Sequence, residues 1–249
     1  MVYFIGVGPG DSELITLKAL KIISSSDVII YAGSLINQEI LNYSKNDAEK
    51  FDSSRMNLEE IIQIIEENWK KGKKISRLHP GDPSLYGAIY EQTKELDKRG
   101  IEYEVIPGVS SLFGAVSRLR LEFTPPQVSQ TLIITRLEGK TTVPEKEKLS
   151  YLASHQSSMA IFLSVHMIEK VVQELRAGGY SDNTPVCVVY KATWKDEKII
   201  KGRLENIAEL VKKEGVDNFS IIFVGNFLEP YGEYSKLYDK SFSHSFRRK

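Results

Sequence analysis

The chain reads as an α/β protein of two αβα domains, and three observations predict it. Apolar runs of strand length alternate with stretches of helical periodicity, Gly/Pro punctuation follows strand after strand, and a stiff Thr124-Pro125-Pro126 segment separates two such series. In the first series, strands alternating with helices imply right-handed βαβ units and a largely parallel sheet. The expected domains are residues 1–118 and 127–230, with a tail over 231–249.

The elements follow in order. Residues 2–7 form an apolar strand ended by Gly8-Pro9-Gly10-Asp11, and Leu14, Leu17 and Leu20 then fall at helical spacing. Residues 27–31 make a second strand, 35–43 a helix, and 47–51 a short strand. Over residues 57–71, Leu58, Ile61, Ile62, Ile64, Ile65 and Trp69 line one side, the pattern of an amphipathic helix. A strand at 74–78 runs into Pro80-Gly81-Asp82-Pro83-Ser84-Leu85-Tyr86-Gly87 and a helix at 88–99 capped by Gly100. A strand at 103–106 leads through Pro107-Gly108-Val109-Ser110-Ser111 into a helix ending near Leu119. The second series has strands at 130–135, 159–163, 186–190, 198–202 and 220–224, with helices at 145–155, 167–177 and 204–214. The basic end Arg247-Arg248-Lys249 reads as a frayed tail.

Composition narrows the function classes. A chain of 249 residues buries roughly 70–75% of its unfolded surface, enough for a substantial core. Lys+Arg and Asp+Glu are both 33, so the excess of positive charge expected of a general nucleic-acid binder is missing. The single cysteine, Cys187, sits in an apolar run and reads as a small core residue. No charged leader precedes the first strand, and no apolar run approaches the ~20 residues that span a bilayer. A cytoplasmic protein without membrane or nucleic-acid partners is expected.

Three stretches share one design of strand, Gly/Pro loop and helix: residues 6–11, 80–87 and 107–111. In a parallel sheet all three fall on the carboxyl edge, where ligands of open α/β sheets bind. They offer backbone groups, the carboxylates of Asp11 and Asp82, and few bulky side chains. Asp82 equally suits the N-cap of the following helix, and Asp11 that of the helix containing Leu14. A dinucleotide site is the competitor, but Asp11 stands where the third glycine of Gly-x-Gly-x-x-Gly belongs and would face the pyrophosphate. No Walker-type Gly-Lys-Ser/Thr, Gly-x-Ser-x-Gly elbow or Cys/His metal spacing is present. His155, His166 and His244 share no ligand spacing, and His79 reads as a hydrogen-bonded structural histidine.

The ordered set Gly-x-Gly-Pro-Gly-Asp, Gly-Asp-Pro-x-x-Tyr-Gly and Pro-Gly-Val-Ser-Ser resembles the signature of the tetrapyrrole methylases, over about residues 2–228. Thr135-Arg136-Leu137-Glu138-Gly139-Lys140-Thr141-Thr142 and Val188-Val189-Tyr190-Lys191-Ala192-Thr193-Trp194 narrow the likeness to the branch whose acceptor is C-11 of a cobalt-bearing or metal-free precorrin-4. Two departures stand out: Pro80 replaces a frequent Thr or Gly, and Pro125-Pro126 a less rigid link.

The resemblance implies a C-methyltransferase that folds S-adenosylmethionine into a cleft between its two domains, releases S-adenosylhomocysteine, and works as a homodimer on a small-molecule tetrapyrrole. It maps cofactor contacts onto Pro9, Pro80, Gly81, Asp82, Leu85, Ser110, Ser111, Leu163, Ser164 and Ala192, and Tyr86 could cover the cofactor. Asp82, Asp11 and Arg136 are the candidate catalytic residues. Because the substrate carries acetate and propionate arms, Arg136, Lys140 and Lys191 are candidate substrate contacts. Another corrin carbon, a modified histidine as acceptor, and a non-catalytic tetrapyrrole binder stay open as alternatives.

Overall fold

The computed structural model describes residues 1–231, 235 and 241–243. It divides into two compact units, one of Met1–Arg118 with Lys191–Glu197, the other of Leu119–Tyr190 with the described residues from 198 on. His244, Arg247, Arg248 and Lys249 lie outside the described residues.

Unit 1 runs β1 (Val2–Gly6), α1 (Leu17–Ile23), β2 (Val28–Tyr31), β3 (Glu49–Asp52), α2 (Leu58–Lys70), β4 (Ile75–His79), α3 (Tyr90–Lys98), β5 (Tyr103–Ile106) and α4 (Ser111–Leu119). Its sheet is wholly parallel in the order β3-β2-β4-β1-β5. Side-chain alternation sends Ile5, Ile29, Leu78 and Ile106 to one face with Ala19, Ile22 and Ile23 of α1. The other face receives Phe4, Val28, Ile30 and Ile75, packed by Ile61, Ile62 and Ile65 of α2 and Leu96 of α3. A capping box fixes the start of α2, with Asn57 accepting from the Glu60 N–H and Glu60 from the Asn57 N–H. Since β4, β1 and β5 are neighbours, their three carboxyl-end loops emerge side by side.

Unit 2 contains β6 (Leu132–Arg136), α5 (Leu149–Ala153), β7 (Ser158–Phe162), α6 (Ile168–Ala177), β8 (Pro185–Tyr190), β9 (Lys198–Arg203), α7 (Ile207–Lys213) and β10 (Ser220–Val224). Its sheet has the order β6-β7-β10-β8-β9. Only β6 and β7 pair in parallel. β10 enters between β7 and β8 antiparallel to both, and β8 and β9 form an antiparallel pair. The apolar pattern of strands buried on both faces carries no directional signal, so this mixed pairing is not legible in the sequence. The helix expected over 35–43 is two short 3-10 turns. That expected over 145–155 shrinks to α5 after a 3-10 turn.

Candidate functional site on the carboxyl edge of the first sheet

The central loop leaves β4 at His79 and is bound to the first loop straight away. Gly8 and Gly81 exchange backbone hydrogen bonds, at 2.8 Å from the Gly81 N–H and 3.3 Å from the Gly8 N–H, and the Val7 N–H donates to the His79 carbonyl at 3.0 Å. Asp82 then ties the loop to itself and to the third loop. Its Oδ1 accepts from the Ser84 N–H at 2.8 Å and from the Ser84 hydroxyl, and its Oδ2 accepts from the Gly108 N–H at 2.9 Å. Burial pushes the Asp82 carboxyl up, but these hydrogen bonds outweigh it and hold the group below the usual carboxylate range. It is ionised at neutral pH, with both oxygens engaged by the protein.

Close approach explains the glycines where the loops meet. A Cβ on Gly6 would lie 2.6 Å from both the Gly108 nitrogen and the Gly81 oxygen, and one on Gly108 would lie 2.2 Å from the Gly81 oxygen. At the loop's far end a Cβ on Gly87 would sit 2.1 Å from the Pro83 oxygen. Tyr86 and Ala88 on either side are left-handed, with φ of 57° and 50°. Pro80 and Tyr86 are exposed, and Leu85 is half-buried. In the third loop the Ser110 hydroxyl accepts from the Leu112 N–H at 3.2 Å and caps α4, which Ser111 begins.

A fourth piece, Lys191–Glu197, belongs to the same unit although it joins β8 to β9. The Trp194 indole N–H donates to the Pro9 carbonyl at 2.9 Å, and its ring occupies the space a Cβ on Gly10 would take. The Thr193 hydroxyl accepts from the Asp11 N–H at 2.9 Å. Glu197 accepts from the Thr193 N–H at 2.6 Å and pairs with Arg118 at 2.9 Å. Ala192 is buried between the left-handed Lys191 and Thr193, whose φ values are 45° and 69°. Asn37 adds a side-chain hydrogen bond to the Gly10 carbonyl at 2.9 Å. Thus the first loop is gripped by Trp194, Thr193 and Asn37, to none of which the sequence assigns a role.

Unit 2 places the other candidates. The Arg136 guanidinium donates to the carbonyls of Leu137, Thr141 and Thr142, folding residues 137–142 around itself. Lys140 is exposed on that loop. Ser164 is fully buried, its hydroxyl donating to the Phe162 carbonyl at 2.6 Å and accepting from the Leu137 N–H at 2.8 Å. Beside it Leu163 is 60% exposed and left-handed, a conformation and an exposure that a leucine rarely combines.

Residues 1–208 match the family of Tetrapyrrole (Corrin/Porphyrin) Methylases. The chain belongs to the tetrapyrrole methylases. It is 59% identical over 248 residues to the cobalt-precorrin-4 C(11)-methyltransferase of Methanocaldococcus jannaschii, covering 99% of this chain and 96% of that one. Its fold matches the crystal structure of a cobalt-precorrin-4 methyltransferase of cobalamin biosynthesis with a TM-score of 0.90 at 43% identity, covering 92% of this chain and 96% of the other. It also matches a uroporphyrin-III C-methyltransferase from Thermus thermophilus, solved with S-adenosylhomocysteine, with a TM-score of 0.77 at 25% identity over 93% and 95% of the two chains.

For a tetrapyrrole methylase, the geometry shows how several of the candidate residues are held. Asp82 does not cap α3, which starts after Ile89 without a side-chain cap. It laces two loops instead. Asp11 is exposed and caps the 3-10 turn Ser12–Leu14 through the Glu13 N–H at 2.9 Å. Lys191 is drawn to Asp196 at 2.6 Å and over the Trp194 ring, which places it in the wall of the first loop. Cys187 is buried, with its thiol pushed up to about 12 by burial. Among the described residues no cluster of His, Cys, Asp and Glu could hold a metal, and no helix is long and apolar enough to cross a membrane.

Proposed function

We propose that the chain transfers a methyl group from S-adenosylmethionine to C-11 of cobalt-precorrin-4 in assembly of the corrin ring of cobalamin. The observation that carries this reading is the end-to-end likeness to the archaeal enzyme of that name. The loop edge of unit 1 supports the donor site: three Gly/Pro loops meet there backbone to backbone, with no Cβ at Gly6 or Gly108 to hold them apart. When bound, S-adenosylmethionine supplies a methyl group on a sulfonium that leaves as a neutral thioether.

The residues of the chain therefore bind, orient and exclude water. Well-oriented proximity is worth up to ~7–11 kcal/mol of barrier, so no nucleophile or strong base is needed to activate the donor. Pro9, Pro80, Gly81, Leu85, Tyr86, Ser110, Ser111 and Ala192 serve as cofactor contacts on unit 1. Within unit 2, Leu163 is a candidate ligand contact by its exposure, and Ser164 supports its turn. Asp82 and Lys191 act as positioning residues. Arg136 and Lys140 meet the anionic arms of the substrate, and Asp11 stands at the trough beside the first loop. The enzyme works in the cytoplasm as a homodimer, which sedimentation equilibrium tests.

The decisive experiment mixes the protein with S-adenosylmethionine and cobalt-precorrin-4 and weighs the products, with metal-free precorrin-4 in parallel. A gain of one methyl, placed at C-11 by NMR, is expected. Tight S-adenosylhomocysteine binding without that gain would move the acceptor elsewhere, and neither turnover nor binding would sink the reading.

A further inference from the structure

Beneath the central loop the structure buries three polar side chains that methyl transfer does not itself require. Arg77 and His79 on β4 are 6% and 3% exposed, and Gln92 on α3 is 5% exposed. Alternation from Ile75 turns Arg77 and His79 to the face covered by α2 and α3. Among the described residues no ion pair reaches Arg77. Its Nε donates to the Gln92 Oε1 at 3.2 Å, while Nη1 is buried without a partner. Gln92 passes the connection upward, its Nε2 donating to the Ala88 carbonyl at 2.8 Å. His79 hydrogen-bonds the backbone carbonyl of Gly87, and because its Nε2 is buried without a partner the donor is Nδ1.

Two adjacent carbonyls are thus gripped from below where the chain is contorted, between the left-handed Tyr86 and Ala88 and against the glycine whose Cβ would strike Pro83. A purely structural strand would not pay for this. An apolar residue at 77 would avoid burying an unpaired guanidinium, and one at 79 would avoid an orphaned ring nitrogen. Costs of this kind persist where the surrounding structure needs the shape they enforce.

We propose that His79 and Gln92 are positioning residues of the cofactor loop, holding the Gly87 and Ala88 carbonyls so that residues 80–86 keep the shape that binds S-adenosylmethionine. Arg77 orients the Gln92 amide by occupying its oxygen, which leaves the amide nitrogen to face Ala88. This rests on the reading that residues 80–86 contact the cofactor.

The test is calorimetric binding of S-adenosylhomocysteine, with thermal unfolding in parallel, for the full-length chain and three variants. Gln92→Glu keeps an acceptor for Arg77 and gives it a charge partner, but removes the donor to Ala88. Binding about tenfold weaker is expected, with an unfolding midpoint equal to or above that of the unmodified protein. His79→Asn presents an amide nitrogen near the Nδ1 position and should bind within about twofold of the unmodified protein. His79→Gln reaches past it and should lose about tenfold. The inference is overturned if Gln92→Glu binds as well as the unmodified protein. It is equally overturned if affinity falls only where the midpoint falls. An unmodified protein that binds no S-adenosylhomocysteine would instead fail the functional reading.

Discussion

The crossing of the three loops can be broken with a single methyl group at Gly108. A Cβ there meets the Gly81 oxygen at 2.2 Å, whereas ordinary contact begins at 3.4 Å, so the two loops must part by about 1.2 Å. Both colliding groups are backbone, and no flexible side chain can yield. Parting by that distance stretches the 2.9 Å bond from the Gly108 N–H to Asp82 to about 4 Å, beyond hydrogen-bond range. It also strains the paired bonds between Gly8 and Gly81. Losing one charge-assisted bond and two backbone bonds costs on the order of 3–5 kcal/mol. Gly108→Ala is therefore expected to lower the unfolding free energy extrapolated from urea titration by that amount and to weaken S-adenosylhomocysteine binding at least tenfold. Gly72→Ala is the control: its site is left-handed but open, with nothing within 4 Å of the added Cβ. It should cost ~1–2 kcal/mol of backbone strain and leave binding unchanged. A Gly108→Ala protein as stable as the Gly72→Ala control, with unmodified affinity, would refute the claim that the loops are set by their mutual contact.

Three further outcomes follow from the same geometry. Trp194→Phe removes the donor to the Pro9 carbonyl and should cost about 1 kcal/mol, or roughly fivefold in S-adenosylhomocysteine affinity by calorimetry; unchanged affinity would free the first loop from that segment. The His79 ring is held neutral, pushed down to about 3 by burial and the nearby Arg77 charge from an ordinary 6.5. The unfolded chain therefore takes up a proton that the folded one refuses, so stability is whole above about pH 6.5 and falls at ~1.4 kcal/mol per pH unit as the pH drops toward 3. His79→Asn should flatten that slope in urea titrations at pH 4.5 and 7, and an identical slope would refute the assignment. Cys187, buried and pushed up to about 12, should resist iodoacetamide at pH 8 in the folded protein and react fully in guanidinium; rapid native alkylation would contradict its placement.

Legibility in the sequence divides along physical lines. The first sheet and its three loops were readable because a strand, a Gly/Pro turn and a helix are local events, and three in order define one edge. The insertion of β10 between β7 and β8 was not, since Ser220–Val224 reads the same in either direction. Arg77 was hidden for the opposite reason: a charged residue in a strand reads as facing solvent, and its burial depends on Gln92 and the helix above. The grip of Trp194 on Pro9 joins residues 185 positions apart. The Lys191-Ala192-Thr193-Trp194 stretch could be quoted as part of a likeness, but no spacing rule announces an indole N–H meeting a distant carbonyl. Asp82 shows how much of a residue's setting lies beyond the loop that carries it. Its loop marked it out, yet its bonds to Ser84 and Gly108 make it a tie between loops.

The distribution of backbone strain gives an independent reason to place function where the loops are. Among the described residues nine non-glycine positions have positive φ, and five of them, Tyr86, Ala88, Leu163, Lys191 and Thr193, fall within or beside the segments carrying the candidate cofactor contacts. Each left-handed L-residue costs roughly 1–2 kcal/mol, and none of these five is the asparagine or aspartate that tolerates it best. Were the strain only the by-product of tight turns, glycine would relieve it at no cost to the fold. Side chains retained at that cost are side chains in use, and Leu163 is the clearest case, strained and exposed at once. Leu163→Gly should therefore lose S-adenosylhomocysteine affinity while unfolding no earlier than the unmodified protein. Phe219→Gly, at a left-handed position outside every candidate segment, should leave affinity untouched. If the two variants bind alike, strain in this fold marks turns and nothing more.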